Sequence, residues 1–479
     1  MFIASIIFYN FDKKEKKFRY EQHIEDYKEI SISNDNPNII EAHLPIISIK
    51  VNEESIPGEI ILDDTGIEIG RTLDSQGNEM ALGEMNVYDN GNINKITNDP
   101  EVTSSLFIRY RGNSSIYFSK KGYLLKLIDE DGNDNEKGML GMAEDNEWVL
   151  NGPYLDKTLM RNYMAHNIAG MIMGYAPNVR FCELYVNNKY QGLYILCESI
   201  SRSKNRVNIG KYDSRVNDFG YIVCLDKDEI DIKNISTFSE YAYISERDTG
   251  LKIIYPSRSM ITEEVRDYIK SDFSNFERAL YSYDFDDPKK GYKNYIDVDS
   301  FVDYYIFQEF MEINDTCYRS TYLYKEKGGK IVMGPVWDYN NSLNNYFTEL
   351  DNEKMQYVDR LWYSQLLKDK DFVDRVVKRY RELRKTVLNE EYLLNYIDDV
   401  RDYLGEAIDR NFKVWGFSFD SSNLNEREKL YPESRNIESY DDAIKQLKDE
   451  IIKRGRWMDE NIDTLYQYCQ ESKNIELLD

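Results

Sequence analysis

The chain has 479 residues, and its 61 lysines and arginines against 86 aspartates and glutamates give a formal net charge of −25. This acidic balance argues against a general nucleic-acid binder, which needs a positive field. At roughly 100–200 residues per domain, the length allows two to four domains. The five cysteines lack CxxC spacing and the three histidines are scattered, which argues against a disulfide framework and a zinc site.

No apolar run approaches the roughly 20 residues that a membrane helix requires. The apolar start MFIASIIFYNF lacks a basic segment and a small-residue cleavage site, so it is a poor signal peptide. We therefore expect a cytoplasmic protein without a transmembrane segment. A trimmed leader would instead place it outside the cytoplasm.

The first half of the chain is predicted to be rich in strands. Residues 1–40 alternate weakly between apolar and polar and predict a strand or hairpin extension, and LPIISIKV (44–51) is typical of a buried strand. Alternation on both sides of a Gly-Asn turn predicts a β-hairpin across 105–129. Residues 157–174 have apolar groups at helical spacing, and Asp156 is placed to cap that helix.

Further strands follow before the pattern becomes helical. A hairpin is predicted around Asn187-Asn188, and GYIVCLD and LKIIYP predict strands on either side of a polar insertion (227–250). Helices dominate from 262 onward, interrupted by STYLYKE and KIVMGPVWD and by a polar break near 416–440. The predicted fold class is α+β, with a strand-rich N-terminal half and a helix-rich C-terminal half.

Two acids flank the hairpin in the helical half. A helix is predicted to end at Asn314-Asp315, and the second strand of the hairpin to end at Trp337-Asp338. A hairpin folds this separation of 23 positions (338 − 315) back on itself, so both carboxylates can face one cleft. In phosphoryl transfer, one Asp positions or deprotonates the acceptor hydroxyl and a second holds magnesium on the nucleotide phosphates. The alternative is that both acids are ordinary residues at the ends of elements.

A basic turn and one glutamate add to this set. The segment RYRGNSS (109–115) is followed by Lys120 and Lys121, and a glycine turn flanked by cations can bind phosphate. Glu198 ends a largely apolar run, so it needs a partner if it is buried. A lysine of the basic hairpin would supply that partner, as in the Lys–Glu pair of protein kinases. The alternatives are a solvated hairpin and a surface glutamate.

In this order, the clusters resemble the CotH family of spore-coat-protein-H-like atypical protein kinases. The matching segments, within roughly 44–415, include IRYRGNSS, WVLNGPYLDKTLMRNYMAHNIAG, ELYVNNKYQGLYILCESI, GYIVCLDKD, FQEFMEIND and KIVMGPVWDYN. The resemblance implies a divergent protein-kinase-like fold that uses ATP and Mg²⁺ or Mn²⁺ to phosphorylate Ser or Thr, on spore coat or surface proteins. We therefore expect an N-terminal extension (1–43), a two-lobed kinase domain (44–415) and a C-terminal helical extension (416–479).

The resemblance also implies roles for individual residues. Asp315 would be the catalytic Asp, Asp338 the metal ligand, and Lys121 the lysine that contacts phosphate. The further candidates for cofactor binding are Glu198 as partner of Lys121, and Arg111 and Asn113 near the nucleotide.

Two positions depart from the family pattern. The family often has WDFD where this chain has WDYN (337–340), so Asn340 replaces the second acid. The family usually has Asn five positions after the catalytic Asp, and here that position is Ser320. Both substitutions concern metal ligands. They leave open an active Ser/Thr kinase, a pseudokinase that acts as a binding scaffold, and transfer of an adenylyl group on the same fold.

The net charge bears on the partner of this chain. An acidic surface attracts segments rich in lysine and arginine. The substrate is therefore predicted to be a basic, serine-containing protein. The resemblance adds the spore coat to the expected locations.

Overall fold

The computed structural model describes residues 19–24, 41–91, 93–216, 218–227, 229–233 and 250–471. The strands in these ranges are β1 (Ile46–Val51), β2 (Ile60–Leu62), β3 (Glu68–Arg71), β4 (Ala81–Tyr88), β5 (Val102–Arg111), β6 (Gly122–Ile128), β7 (Lys137–Met139), β8 (Met142–Asp145), β9 (Glu147–Asn151), β10 (Val179–Val186), β11 (Lys189–Glu198), β12 (Tyr221–Asp226), β13 (Gly250–Tyr255), β14 (Thr321–Lys325) and β15 (Ile331–Met333). The helices are α1 (Arg161–Ile172), α2 (Glu263–Leu280), α3 (Val298–Met311), α4 (Tyr363–Leu366), α5 (Lys370–Leu383), α6 (Glu390–Leu404), α7 (Glu406–Trp415) and α8 (Tyr440–Asn461). Short 3-10 helices cover Gln22–Ile24, Ser115–Tyr117, Arg258–Met260, Tyr292–Asn294, Gly416–Phe419, Ser421–Asn423, Glu433–Arg435 and Ile462–Tyr468.

Seven strands of the N-terminal half close into a barrel in the order β1-β10-β11-β9-β6-β5-β4. Neighbouring strands are antiparallel except β1 and β10, which run parallel with Ile47 opposite Leu184. In β5, Leu106 and Ile108 are buried inside the barrel, and Phe107 between them is partly exposed on the outer face. Closure pairs every one of these strands on both sides, so the barrel has no open edge.

Strands β10 and β11 join the barrel to the helical half. Nearly all of their residues are buried, because both of their faces are covered. Cys182 and Leu184 of β10 lie in the barrel core, whereas Val179 and Phe181 lie in a second core formed with the helices. Helix α1 is buried on almost every side within this second core. The two halves therefore share one wall.

A second sheet has the strand order β13-β12-β14-β15. Its β14–β15 hairpin pairs Leu323 with Met333, and the backbone N–H of Met333 donates to Ser300 Oγ of α3 (3.0 Å). Helix α3 begins at the side-chain cap Asp297 and is followed by Glu312, which has the left-handed backbone conformation (φ 54°). These contacts fix the loop that leads from α3 into the hairpin.

The predicted α+β composition is confirmed, with strands concentrated in the N-terminal half and helices in the C-terminal half. Both predicted hairpins form, as β5–β6 and as β10–β11, with Asn187 and Asn188 at positive φ in the turn. The chain after 351 is helical, with a break between α7 and α8. Among the helices that the structure describes, none combines the length and the apolar composition needed to span a lipid bilayer.

Three predicted boundaries are wrong. Helix α3 ends at Met311 rather than at Asn314-Asp315, because Glu312 takes the left-handed backbone conformation. Helix α1 begins at Arg161 rather than at 157, so Asp156 is not its cap, although its carboxylate accepts a hydrogen bond from the Arg161 N–H (2.8 Å). Strand β15 ends at Met333 instead of reaching Trp337-Asp338, because Pro335 has no N–H to donate to a strand ladder. The extension predicted for residues 1–40 lies almost wholly outside the described residues.

Candidate active site

Asp315 lies in the loop between α3 and β14. Its backbone carbonyl accepts hydrogen bonds from the N–H groups of Tyr318 and Arg319 (both 3.0 Å), which closes the loop into a turn. The side chain is half-buried. Burial and, to a smaller extent, the charge of Asp338 raise the pKa of Asp315 to about 6, and Arg319 acts in the opposite direction. A carboxyl group with this pKa can exchange a proton near neutral pH.

Asp338 lies beyond the second strand of the hairpin and faces the same cleft. Its backbone is left-handed (φ 64°) and its side chain is exposed. Desolvation of the carboxylate by the surrounding protein raises the pKa of Asp338, while the charge of Arg111 and hydrogen bonding from Asn340 lower it. Because the charge of Asp338 acts on Asp315, the hairpin brings the two carboxylates within electrostatic range, as their sequence positions predicted.

A chain of buried side chains connects the two acidic segments. Thr316 Oγ1 donates to Gln308 Oε1 (3.0 Å), and Gln308 Nε2 donates to the hydroxyl of Tyr339 (2.6 Å). The Tyr339 N–H donates to Asn162 Oδ1 of α1 (2.6 Å). Thr316 follows Asp315 and Tyr339 follows Asp338, so this chain fixes the separation of the two acids. Such a network is rigid when each member has its partners.

Arg111 reaches the cleft from the barrel. It ends β5, and its guanidinium lies 4.7 Å from the centre of the Trp337 ring. Among the described residues its guanidinium forms no hydrogen bond or ion pair, so the guanidinium N–H groups remain able to bind an anion. The adjoining Gly112 has φ 125°, and a Cβ there would lie 2.1 Å from Ser115 Oγ, so only glycine fits this turn.

A small pocket separates the glycine turn from the WDYN segment (337–340). Its polar lining includes Arg111, Ser115, Asn151, Gly152, Tyr154 and Asn340. The side-chain oxygens of Asn151 and Asn340 are buried and accept no hydrogen bond within the described part of the chain. Unsatisfied acceptors of this kind would be satisfied by a cation or by hydrogen-bond donors of a bound molecule.

These residues fit a nucleotide with a divalent metal. Asp338 and Asn340 would supply carboxylate and amide oxygens, the donors that Mg²⁺ prefers. Asn340 Nδ2 donates to Asp338 Oδ1 (3.2 Å), which holds the two side chains together. No three His, Cys, Asp or Glu side chains of the described residues are grouped to hold a metal alone. Magnesium at such a site would therefore depend on water and phosphate oxygens as further ligands.

The predicted pair of Lys121 and Glu198 does not form. Lys121 Nζ donates instead to the carbonyl of Ile116 (2.6 Å), within the turn between β5 and β6. Glu198 is fully buried and forms an ion pair with Arg206. The Asn178 N–H and Nδ2 groups donate to its carboxylate (2.8 and 3.0 Å). Glu198 is thus neither a partner of Lys121 nor a surface residue, because a nearer cation satisfies its buried charge.

The remaining predicted residues are less closely tied to the cleft. Asn113 is exposed on the glycine turn, next to the pocket-lining residues. Ser320 is partly exposed and left-handed (φ 49°), at the end of the loop that begins at Asp315. Its hydroxyl forms no hydrogen bond with the part of the chain that the structure describes. Its role as a metal ligand stays a prediction.

Sequence reasoning missed two features of this site. Gln308 was part of a matching segment, but only the fold reveals that it bridges Thr316 and Tyr339. Asp226 ends β12, where its neighbour Leu225 pairs with Thr321, and its charge also raises the pKa of Asp315. Its position at the end of an apolar run, the same signal used for Glu198, could have identified it.

Comparison with known families agrees with these observations. The family model for CotH kinase protein matches residues 108–458, which include Arg111, Asp315 and Asp338. The match spans most of the 479 residues, and the chain belongs to the CotH kinase family. No curated protein matches the chain.

Proposed function

We propose that this chain transfers the γ-phosphoryl group of ATP to serine or threonine hydroxyls of protein substrates. The observation that carries the proposal is the electrostatic coupling of Asp315 and Asp338 across one cleft, beside the free guanidinium of Arg111. Membership in the CotH kinase family supports kinase-like activity, and spore coat proteins are the first substrates to test.

Each residue has a role in this reaction. The acceptor oxygen forms a bond to the γ-phosphorus, the bond from that phosphorus to the β–γ bridging oxygen breaks, and ADP leaves. Ionised Asp315 accepts the hydroxyl proton, which its pKa of about 6 allows at neutral pH. Arg111 offsets the negative charge on the transferred group. Asp338 and Asn340 would hold the metal, which neutralises phosphate charge. Lys121 remains a candidate for phosphate contact if its ammonium leaves the Ile116 carbonyl.

The test is incorporation of label from γ-labelled ATP with Mg²⁺ or Mn²⁺, with and without a basic serine-rich peptide. We expect label with the parent chain and at least a hundredfold loss in Asp315→Ala and Asp338→Ala. Asp131→Ala, which removes an exposed loop carboxylate, is the matched control and should retain the parent rate. Equal labelling in Asp338→Ala would remove the metal assignment. The intact mass of the product separates phosphoryl from adenylyl transfer.

A scaffold without catalysis is the second candidate function. Ser320 favours it, because a hydroxyl replaces the amide expected at that position. The scaffold reading predicts no label with either metal and no change in melting temperature on adding ATP, in a chain that still melts cooperatively. Any phosphate transfer that Asp315→Ala abolishes would exclude it.

The acidic charge supports a basic substrate. If electrostatic attraction guides the encounter, added salt will slow phosphorylation of a lysine-rich serine peptide more than that of a neutral one. Equal slowing of both peptides would mean that the net charge of −25 serves another purpose.

A further inference from the structure

The hairpin formed by β2 and β3 exposes an unusual amount of apolar surface. Its apolar side chains are between 40% and 64% exposed, namely Ile61, Leu62, Ile67, Ile69 and, just after β3, Leu73. Within the described residues, β2 and β3 pair only with each other. An isolated two-stranded ribbon has marginal stability in water, and an exposed apolar patch typically marks an interaction site.

The hairpin is nevertheless a well-formed element. The carboxylate of Asp63 accepts hydrogen bonds from the N–H groups of Thr65 and Ile67 (2.8 and 2.9 Å), which closes the turn between the strands. At its base, the Gly58 N–H donates to the Thr72 carbonyl (2.9 Å). The exposed apolar residues therefore belong to a hairpin of defined structure rather than to an irregular loop.

The base of the hairpin lies against the strand that carries Arg111. The Tyr110 N–H donates to the Pro57 carbonyl (2.8 Å), and a Cβ at Gly58 would lie 2.8 Å from the Tyr110 carbonyl oxygen. Arg71 Nη1 approaches the carbonyls of Gly58 and Gly112 (both 3.4 Å). Any chain bound to the hairpin is thus anchored next to the glycine turn of the candidate active site.

The charge of the hairpin points to the chemistry of its partner. Between positions 59 and 79 the acidic residues are Glu59, Asp63, Asp64, Glu68, Asp74 and Glu79. Arg71 is the single base in that stretch, and its Nε pairs with Glu68 (3.1 Å). The apolar side chains therefore lie within a field that attracts cations and repels anions.

We propose that the β2–β3 hairpin is a docking surface for an extended segment of the protein substrate that alternates lysine or arginine with β-branched apolar residues. Such a segment can add as a further strand to an unpaired edge of the hairpin, placing its apolar side chains on those of the hairpin. Its cations lie beside the hairpin carboxylates. The docked substrate then presents a nearby serine to the cleft, so this inference rests on the proposed function.

The test is a binding measurement that needs no ATP. Fluorescence anisotropy compares two labelled peptides on the full chain, one alternating lysine with isoleucine or valine and one with serine at the apolar positions. We expect the apolar peptide to bind about tenfold more tightly, one decade in Kd. In I61S/I67S/I69S this preference should disappear. Met260→Ser/Tyr283→Ser, which alters exposed apolar residues elsewhere, should retain it.

A charge variant tests whether the acidic residues of the hairpin attract the cations of the bound segment. Glu59→Gln/Asp64→Asn should weaken both peptides to a similar extent and keep the preference for the apolar one. The proposal is overturned if the parent binds the two peptides equally, or if I61S/I67S/I69S keeps the preference.

Sedimentation of the parent and of I61S/I67S/I69S tests whether a second copy of this chain, rather than a substrate, binds the hairpin. A parent dimer that the substitutions convert to a monomer would overturn substrate docking. Because the peptides are measured without ATP, loss of the proposed transferase activity would leave the docking result unaffected.

Discussion

The replacement of Glu312 by Gln offers the sharpest test of a buried charge in the segment between α3 and Asp315. Glu312 is fully buried, and its two carboxylate oxygens have no hydrogen-bond partner among the described residues. Its nearest cation is Arg454, whose Nε lies 3.9 Å from Oε1. Burial raises the pKa of Glu312 from its usual 4.5 to about 7; Arg454 and Lys453 act against this shift, and Glu450 and Glu309 add to it.

The shift sets both the sign and the size of the expected effect. Because the pKa is higher in the folded chain than in the unfolded one, the folded chain binds more protons between these two values. The folded chain therefore keeps its full stability at Glu312 below pH 4.5, where this side chain is neutral, and loses stability as the pH rises through 7 and the side chain ionises. A difference of about 2.5 pKa units at about 1.4 kcal/mol per unit corresponds to roughly 3 to 4 kcal/mol. Glu312→Gln removes this loss, since glutamine stays neutral at every pH.

The assay is thermal unfolding of the parent and Glu312→Gln at pH 5 and pH 8. We expect the variant to gain melting temperature relative to the parent at pH 8 and to gain much less at pH 5. Arg454 keeps its buried contacts with Glu309 in either chain, including the ion pair of 2.7 Å. Glu54→Gln, at an exposed position, is the control and should show the same difference at both pH values. An equal gain at both pH values for Glu312→Gln would refute the reasoning.

Two further predictions concern the cleft. The rate of phosphate transfer should fall as the pH drops below about 6, because Asp315 must be ionised to accept the hydroxyl proton; a flat pH–rate profile from 5 to 8 would exclude it as the base. Gln308→Leu should lower kcat at least tenfold with a smaller change in KM, because it breaks the hydrogen-bond chain between Thr316 and Tyr339. Steady-state kinetics beside the conservative Gln308→Glu variant would check this, and unchanged kcat in Gln308→Leu would contradict the positioning role.

The sequence allowed the convergence of Asp315 and Asp338 to be predicted because a hairpin is a local structure. Strand alternation and the turn at Lys327-Gly328-Gly329 are enough to fold 23 positions (338 − 315) back on themselves. The approach of Arg111 is different, since more than two hundred positions separate it from Trp337. Its expected place near the nucleotide came from family resemblance and stays a prediction, and the contact of its guanidinium with the Trp337 ring shows only that it lies beside the WDYN segment.

The closed barrel could not be predicted from local pattern. It depends on the parallel pairing of β1 with β10, whose partners Ile47 and Leu184 are far apart in the chain. Apolar alternation indicates which face of a strand is buried, but it does not identify the neighbouring strand. The partner of Glu198 was mispredicted for a related reason. A buried carboxylate needs a cation, and the resemblance to protein kinases favoured Lys121, whereas Arg206, which is closer along the chain, forms the ion pair.

Both the sequence position and the backbone conformation of Ser320 bear on whether the chain is catalytically active. Its left-handed backbone (φ 49°) is a conformation in which asparagine is several-fold enriched among residues other than glycine. Ser320→Asn should therefore fold at least as well as the parent while adding the amide oxygen that kinases place five positions after the catalytic Asp.

If Ser320 faces the metal, the Mg²⁺ concentration needed for half-maximal stabilisation by ATP should fall about tenfold in Ser320→Asn. Thermal shift measures this without relying on catalysis, and Ser257→Asn at an exposed position is the control. An unchanged Mg²⁺ requirement in a well-folded Ser320→Asn chain would mean that this side chain does not reach the metal. Asp338 and Asn340 would then be its side-chain ligands, and the serine at 320 would no longer argue for a scaffold.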